Sequence, residues 1–170
     1  TAYTTLATIV QIFGEEKGFD YMKGLHANIN QYTKSGSAPI KAAARGENTI
    51  GVAFLHGVVK QAVSGFPVDG VAPCEGTGYE IGSMSIVDGA RNLDEAKMFY
   101  DWALSAKAQS EAWKVKSFQV PSNVSAESSP LAPDPASINL IDYDFKLYGS
   151  SAERKRLLKK WDDEVSVLPQ

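Results

Sequence analysis

The chain has 170 residues, 44% hydrophobic and 22% charged, an ordinary globular composition with material for one packed core. Its net charge of −3 removes any bulk electrostatic case for nucleic acid or an anionic membrane surface. A single cysteine, Cys74, excludes an intramolecular disulfide and lacks metal-ligand spacing, so it reads as an inert packing residue.

The first residue is Thr1, without a methionine, at the head of a helical pattern, so the expectation is a processed or truncated piece of a larger protein. Leu6, Ile9, Val10 and Phe13 recur at helical spacing and predict a helix over 3–18, with Gly14 and Gly18 as weak points. Phe19, Met22, Leu25 and Ile29 predict a second amphipathic helix over 19–29. His26 on that helix reads as structural or exposed. A short strand is expected at 31–33 and a helix at 38–45. The apolar run "NTIGVAFLH" over 48–56 reads as a buried strand, followed by a helix at 57–64 and a short strand at 67–73.

"GTGYEIGSMSIVDGA" over 76–90 is long, extended and rich in glycine. From Leu93, an apolar pattern through Ala96, Phe99, Tyr100, Ala103 and Leu104 follows an N-cap signature at 92–95. Residues 120–139 are rich in proline and serine and read as a surface connection. The last helix, over 152–165, is charged, with a seam of Leu157, Leu158, Trp161 and Val165. Short strands alternating with helices give an α/β class with at least partly parallel pairing. No stretch nears the roughly 18 apolar residues of a membrane span.

Two helix starts carry chemistry. In "YTKSGSAPIKAAARGE", Ser35 or Ser37 suits an N-cap, Gly36 permits close backbone approach, and Pro39 suits the first turn. Hydroxyls and free N–H groups at the positive end of a helix dipole suit phosphate or carboxylate. An ordinary capped turn explains the same letters. Thr1, Ala2, Tyr3, Thr4 and Thr5 open the first helix with the same ambiguity. His56 is expected at a strand end facing a crevice, where it could meet a polar ligand, with Glu80 accepting from sugar hydroxyls; a structural histidine beside apolar residues explains the same position. No dinucleotide fingerprint, phosphate loop, nucleophile–base set, paired carboxylates or zinc spacing occurs, so no enzyme, cofactor or metal is expected.

The phrases "FGEEKGFDYMKGLHAN", "YTKSGSAPIKAAARGE", "GVAF", "EGTGYEIGSMSIVDGARN", "AKMFYDWALSAKAQ" and "VPSN" run in order through Asn123. Together they resemble the second half of a bacterial periplasmic substrate-binding protein of ABC importers. The subgroup includes binders of ferric iron, sugar phosphates and aminoethylphosphonate. The resemblance implies an α/β, periplasmic-binding-protein-like (type 2) lobe with a mixed sheet flanked by helices and crossing segments toward a missing first lobe. Residues 1–75 would form most of the second lobe, 76–120 a crossing strand and helix, and 121–170 a connection and C-terminal helix.

The resemblance further implies a phosphate site at Thr1, Ala2, Thr4, Ser35, Gly36 and Ser37, with His56, Gly57 and Glu80 reading the polar body of the ligand. Ferric binders carry adjacent tyrosines where this chain has Phe54, Leu55 and His56, which disfavours iron with a synergistic anion. The histidine followed by Glu80 resembles the hexose-phosphate branch, except that Gly57 stands where an aspartate is common. The expected function is capture of a phosphorylated sugar or similar organophosphate for an ABC permease. The expected location is the periplasm, or a lipid-anchored extracellular position in a Gram-positive host. The alternatives are ferric iron, 2-aminoethylphosphonate, an enzyme of another type, or a non-catalytic interaction domain. Without the first lobe, the isolated chain is expected to dimerise, swap or be marginally stable.

Overall fold

The computed structural model describes residues 2–169. The chain opens with two helices, α1 (Ala2–Phe13) and α2 (Glu15–His26), that fold against each other. The expected single helix over 3–18 is split at Gly14, whose φ of 80° lies in the left-handed region and ends α1. The second helix accordingly begins four residues earlier than its apolar spacing suggests.

The C-terminal helix α8 (Ser151–Glu164) lies against α1. Leu6 and Val10 of α1, Phe19 and Met22 of α2, and Leu157 and Val165 form the buried core, with Tyr3, Ile9, Tyr148 and Trp161 packed around it. Three amphipathic stripes meet here, and their burial drives this part of the fold. Ser150 caps α8 by accepting from the Glu153 N–H at 3.2 Å, an S-x-x-E start. Arg156 then ties α8 to α2: its guanidinium donates to both carboxylate oxygens of Glu15, at 2.9 and 2.6 Å, and to those of Glu153 at 2.8 and 2.7 Å.

A second unit pairs α3 (Ala38–Ala44) with α4 (Leu55–Val63), with Ile40 and Ala44 buried. Farther along are α5 (Leu93–Leu104), α6 (Ala106–Ser110), a 3₁₀ turn at Ala112–Val115 and another at Pro135–Ser137. The short helix α7 (Phe145–Tyr148) leads into α8. None of α4, α5 or α6 contains a buried residue. Asn92 precedes α5, but its side chain makes no capping hydrogen bond.

The expected mixed sheet does not form among the described residues. The stretches 31–33, 48–54, 67–73 and 76–86 contain no strand. Among the described residues a single parallel bridge joins Thr77 to Leu140. A strand is defined by a ladder, and these segments find no continuous backbone partner within 2–169. Cys74 is exposed rather than packed, with its Sγ 3.4 Å from Glu75 Oε2. No described helix is long and apolar enough to cross a membrane.

Candidate ligand site

The expected site residues fall into two groups. The first is built on α1. Thr1 lies outside the described residues. Ala2 is exposed at the helix start, while Thr4 is buried and its hydroxyl donates to Glu80 Oε1. Thr8, one turn further on, donates to the Thr4 carbonyl at 2.7 Å. The segment bearing Glu80 presses on α1 so closely that a Cβ at Gly78 would fall 1.9 Å from Thr8 Oγ1.

Behind Glu80, Tyr79, Tyr143 and Phe145 form an aromatic cluster, with Tyr143 and Phe145 ring centroids 4.8 Å apart. Burial, aided by Tyr3, Glu80 and Tyr148, pushes the Tyr143 phenol up to about 12, so it stays protonated and can donate. Tyr3 is fixed by its hydroxyl, which donates to the Tyr148 carbonyl at 2.7 Å, and by the Arg154 guanidinium 5.3 Å over its ring.

The second group joins α3 and α4. Ser35, Gly36 and Ser37 are exposed ahead of α3. Ser37 occupies the cap position but makes no side-chain bond to the helix; its hydroxyl lies 3.2 Å from that of Ser35. Thr33 donates to the Ser35 carbonyl at 2.9 Å and shapes the turn. The segment leading to α4 reaches this helix start through Gly51, where a Cβ would lie 2.5 Å from the Pro39 carbonyl oxygen.

His56 is expected at a strand end but sits in the first turn of α4. The reason is that 48–54 lacks a ladder partner and α4 starts two residues before the expected helix. The His56 ring stacks on Phe54, centroids 5.7 Å apart, and burial lowers its pKa below the usual histidine value. It is therefore neutral at physiological pH and offers one donor and one acceptor. Gly57 sits beside Ile40, 2.7 Å from Ile40 Cδ1 to the place a Cβ would occupy.

Thr8 and Tyr143 lie beside the first group of these residues and are not singled out by the sequence. Thr4 and Thr8 share a helix face by their four-residue spacing, a readable signal; Tyr143 is distant in sequence and carries none. Among the described residues no three His, Cys, Asp or Glu side chains converge to form a cation site.

Residues 1–147 match the family model for bacterial extracellular solute-binding proteins. A curated relative, an uncharacterized protein of Haemophilus influenzae, is 54% identical over 168 residues, covering 98% of this chain and 49% of the relative. Among solved structures, the periplasmic binding protein AfuA of Actinobacillus pleuropneumoniae, with exogenous fructose-6-phosphate bound, is 55% identical with a TM-score of 0.94. That likeness covers 99% of this chain and 53% of AfuA. The periplasmic binding protein P5PA is 38% identical with a TM-score of 0.85, over 98% of this chain and 53% of that protein. This chain thus spans about half the length of the relatives it matches. Identity of this level across nearly every residue places the chain in the bacterial extracellular solute-binding protein family.

Proposed function

We propose that this chain is the second half of a periplasmic solute-binding protein that captures a phosphorylated sugar and delivers it to the permease of an ABC importer. The observation that carries this reading is the likeness to AfuA, bound to fructose-6-phosphate, at a TM-score of 0.94 and 55% identity over 99% of the chain. In this reading the phosphate meets hydroxyls and N–H groups at Thr1, Ala2, Thr4, Ser35, Gly36 and Ser37. His56, Gly57 and Glu80 face the sugar. Each charge-assisted hydrogen bond to a phosphate oxygen contributes about 1.5–3 kcal/mol, and a few suffice for capture. No bond is made or broken, so a non-catalytic role needs no acid, base or cofactor.

The same reading divides the chain into second-lobe residues 1–75, crossing residues 76–120, and a returning connection with α8 over 121–170. The extended stretches 48–54, 67–73 and 76–86 would gain ladder partners from the remaining half of the longer protein, completing a mixed sheet. The exposed apolar faces of α4 and α5 would be covered at the same time. The place of action is the periplasm, or the outer surface of a Gram-positive cell by lipid anchorage.

Calorimetry on the full-length protein with fructose 6-phosphate and other hexose and heptose phosphates tests this. Saturable heat with a sugar phosphate, absent with the unphosphorylated sugar, is expected. No heat with any sugar phosphate would overturn the ligand class.

A further inference from the structure

The segment 76–80 and helix α1 share a register. A Cβ at Gly76 would lie 3.4 Å from Ile12 Cδ1, a Cβ at Gly78 would lie 1.9 Å from Thr8 Oγ1, and the Glu80 carboxylate accepts from Thr4. Alternate residues of an extended chain therefore meet successive turns of a helix running the other way. The spacings match physically: two extended residues advance about 6.6 Å and four helical residues about 6 Å.

The opposite side of the segment is also held. The Thr77 N–H donates to the Asn139 carbonyl at 2.7 Å, and the Ile141 N–H donates to the Thr77 carbonyl at 3.1 Å. These two bonds tether the segment to residues 139–141 at Thr77. At Gly76 the far wall is Ile141, whose Cγ2 would be 2.6 Å from a Cβ, and the φ of 142° at Gly76 is one that residues with side chains rarely adopt.

We propose that Gly78 and Thr8 are positioning residues for the ligand site, setting the depth at which the 76–80 segment lies on α1 and thereby holding Glu80 on Thr4. This inference rests on the sugar-phosphate reading for its effect on binding, and on geometry alone for the Thr4–Glu80 contact. Any side chain at position 78 must push the segment off α1 or drive Thr8 aside, and Glu80, two residues on, moves with it. Sites of this kind need their contacts held within about 0.5 Å, so the displacement is felt in recognition.

The test uses the full-length protein with Gly78→Ala, the space-making double variant Gly78→Ala/Thr8→Ala, and Gly82→Ala as control. A Cβ at Gly82 meets nothing within 4 Å. Fructose 6-phosphate affinity should fall by about tenfold or more in G78A, recover substantially in the double variant, and be unchanged in G82A. A purely structural role predicts a lower melting temperature in G78A but parent-like affinity in the folded protein. Thr8→Leu closes the same gap from the helix side and should weaken binding likewise, which keeps the test available if G78A does not fold.

The second readout needs no ligand. The carbon-13 shift of the Glu80 carboxylate should move in G78A and return in the double variant. If the parent protein binds no sugar phosphate, the function fails while this shift still decides the positioning role. Parent-like affinity in G78A, a double variant no better than G78A, or an unmoved Glu80 signal would overturn the inference.

Discussion

The hydroxyl of Thr4 donates to the carboxylate of Glu80, 76 residues away in sequence. One of these residues belongs to the expected phosphate end and the other to the expected sugar end of the site. Replacing Glu80 by Ala should weaken fructose 6-phosphate binding by about tenfold or more, the scale of one lost charge-assisted contact. Inorganic phosphate binding should change far less. His56→Ala should show the same split. Equal losses for both ligands in calorimetry would place these side chains at the phosphate rather than the sugar.

Arg156 clasps Glu15 and Glu153, and its hydrogen bonds hold both carboxyls below their ordinary value of 4.5. Depressed acid pKa values stabilise the fold fully above the unfolded value, and that contribution disappears as pH falls through the folded one. Thermal melting of the parent should thus decline below about pH 4.5. Arg156→Met should melt lower at pH 7 yet converge with the parent in acid. Parallel melting curves for the two proteins across pH 3–7 would contradict the clasp.

His26 is buried and uses both ring nitrogens: Nδ1 lies 2.9 Å from the Tyr32 hydroxyl and Nε2 lies 3.0 Å from the Leu168 carbonyl. A carbonyl only accepts, so Nε2 carries the proton and the tyrosine donates to Nδ1. His26→Leu leaves both partners unpaired beside Trp161 and should cost about 1–3 kcal/mol. Chemical denaturation should show that loss. Tyr32→Phe, which removes one bond at an exposed ring, should cost less.

The apolar face of α5 is open: Met98, Phe99 and Trp102 are 72%, 60% and 56% exposed, and Val87 nearby is 77% exposed. A groove between this helix and Met84, Ile86 and Val87 adds to the same surface. A chain of these 170 residues alone should self-associate, because large contiguous apolar surface favours removal from water. Light scattering should rise with concentration, and Phe99→Lys with Trp102→Lys should suppress it. A monodisperse, stable parent monomer would refute this.

Much of the helical framework was legible in local spacing. Leu6 and Val10, Phe19 and Met22, and Leu157 and Val165 stand at helical intervals, and each is buried where expected. The cap that Ser150 gives α8 was not read from the sequence, and the N-cap signature at 92–95 forms no side-chain bond. The strands were not legible either. "GVAF" has a strand's composition, yet a strand exists only when another backbone supplies its hydrogen bonds. His56 followed that outcome and took a place in the first turn of α4.

What the sequence determined by itself is the set of amphipathic helices, the small hydroxyl-rich helix starts and the resemblance to solute-binding proteins. All of these are written in short-range order. What only the tertiary structure decided is the meeting of Thr4 with Glu80, the fit of Gly78 against Thr8 and the tether of His26 to the chain's last residues. Each joins positions far apart along the chain, and no local periodicity encodes such a distance. It is set by how deeply one element settles on another, and here the absence of a side chain at Gly78 sets that depth.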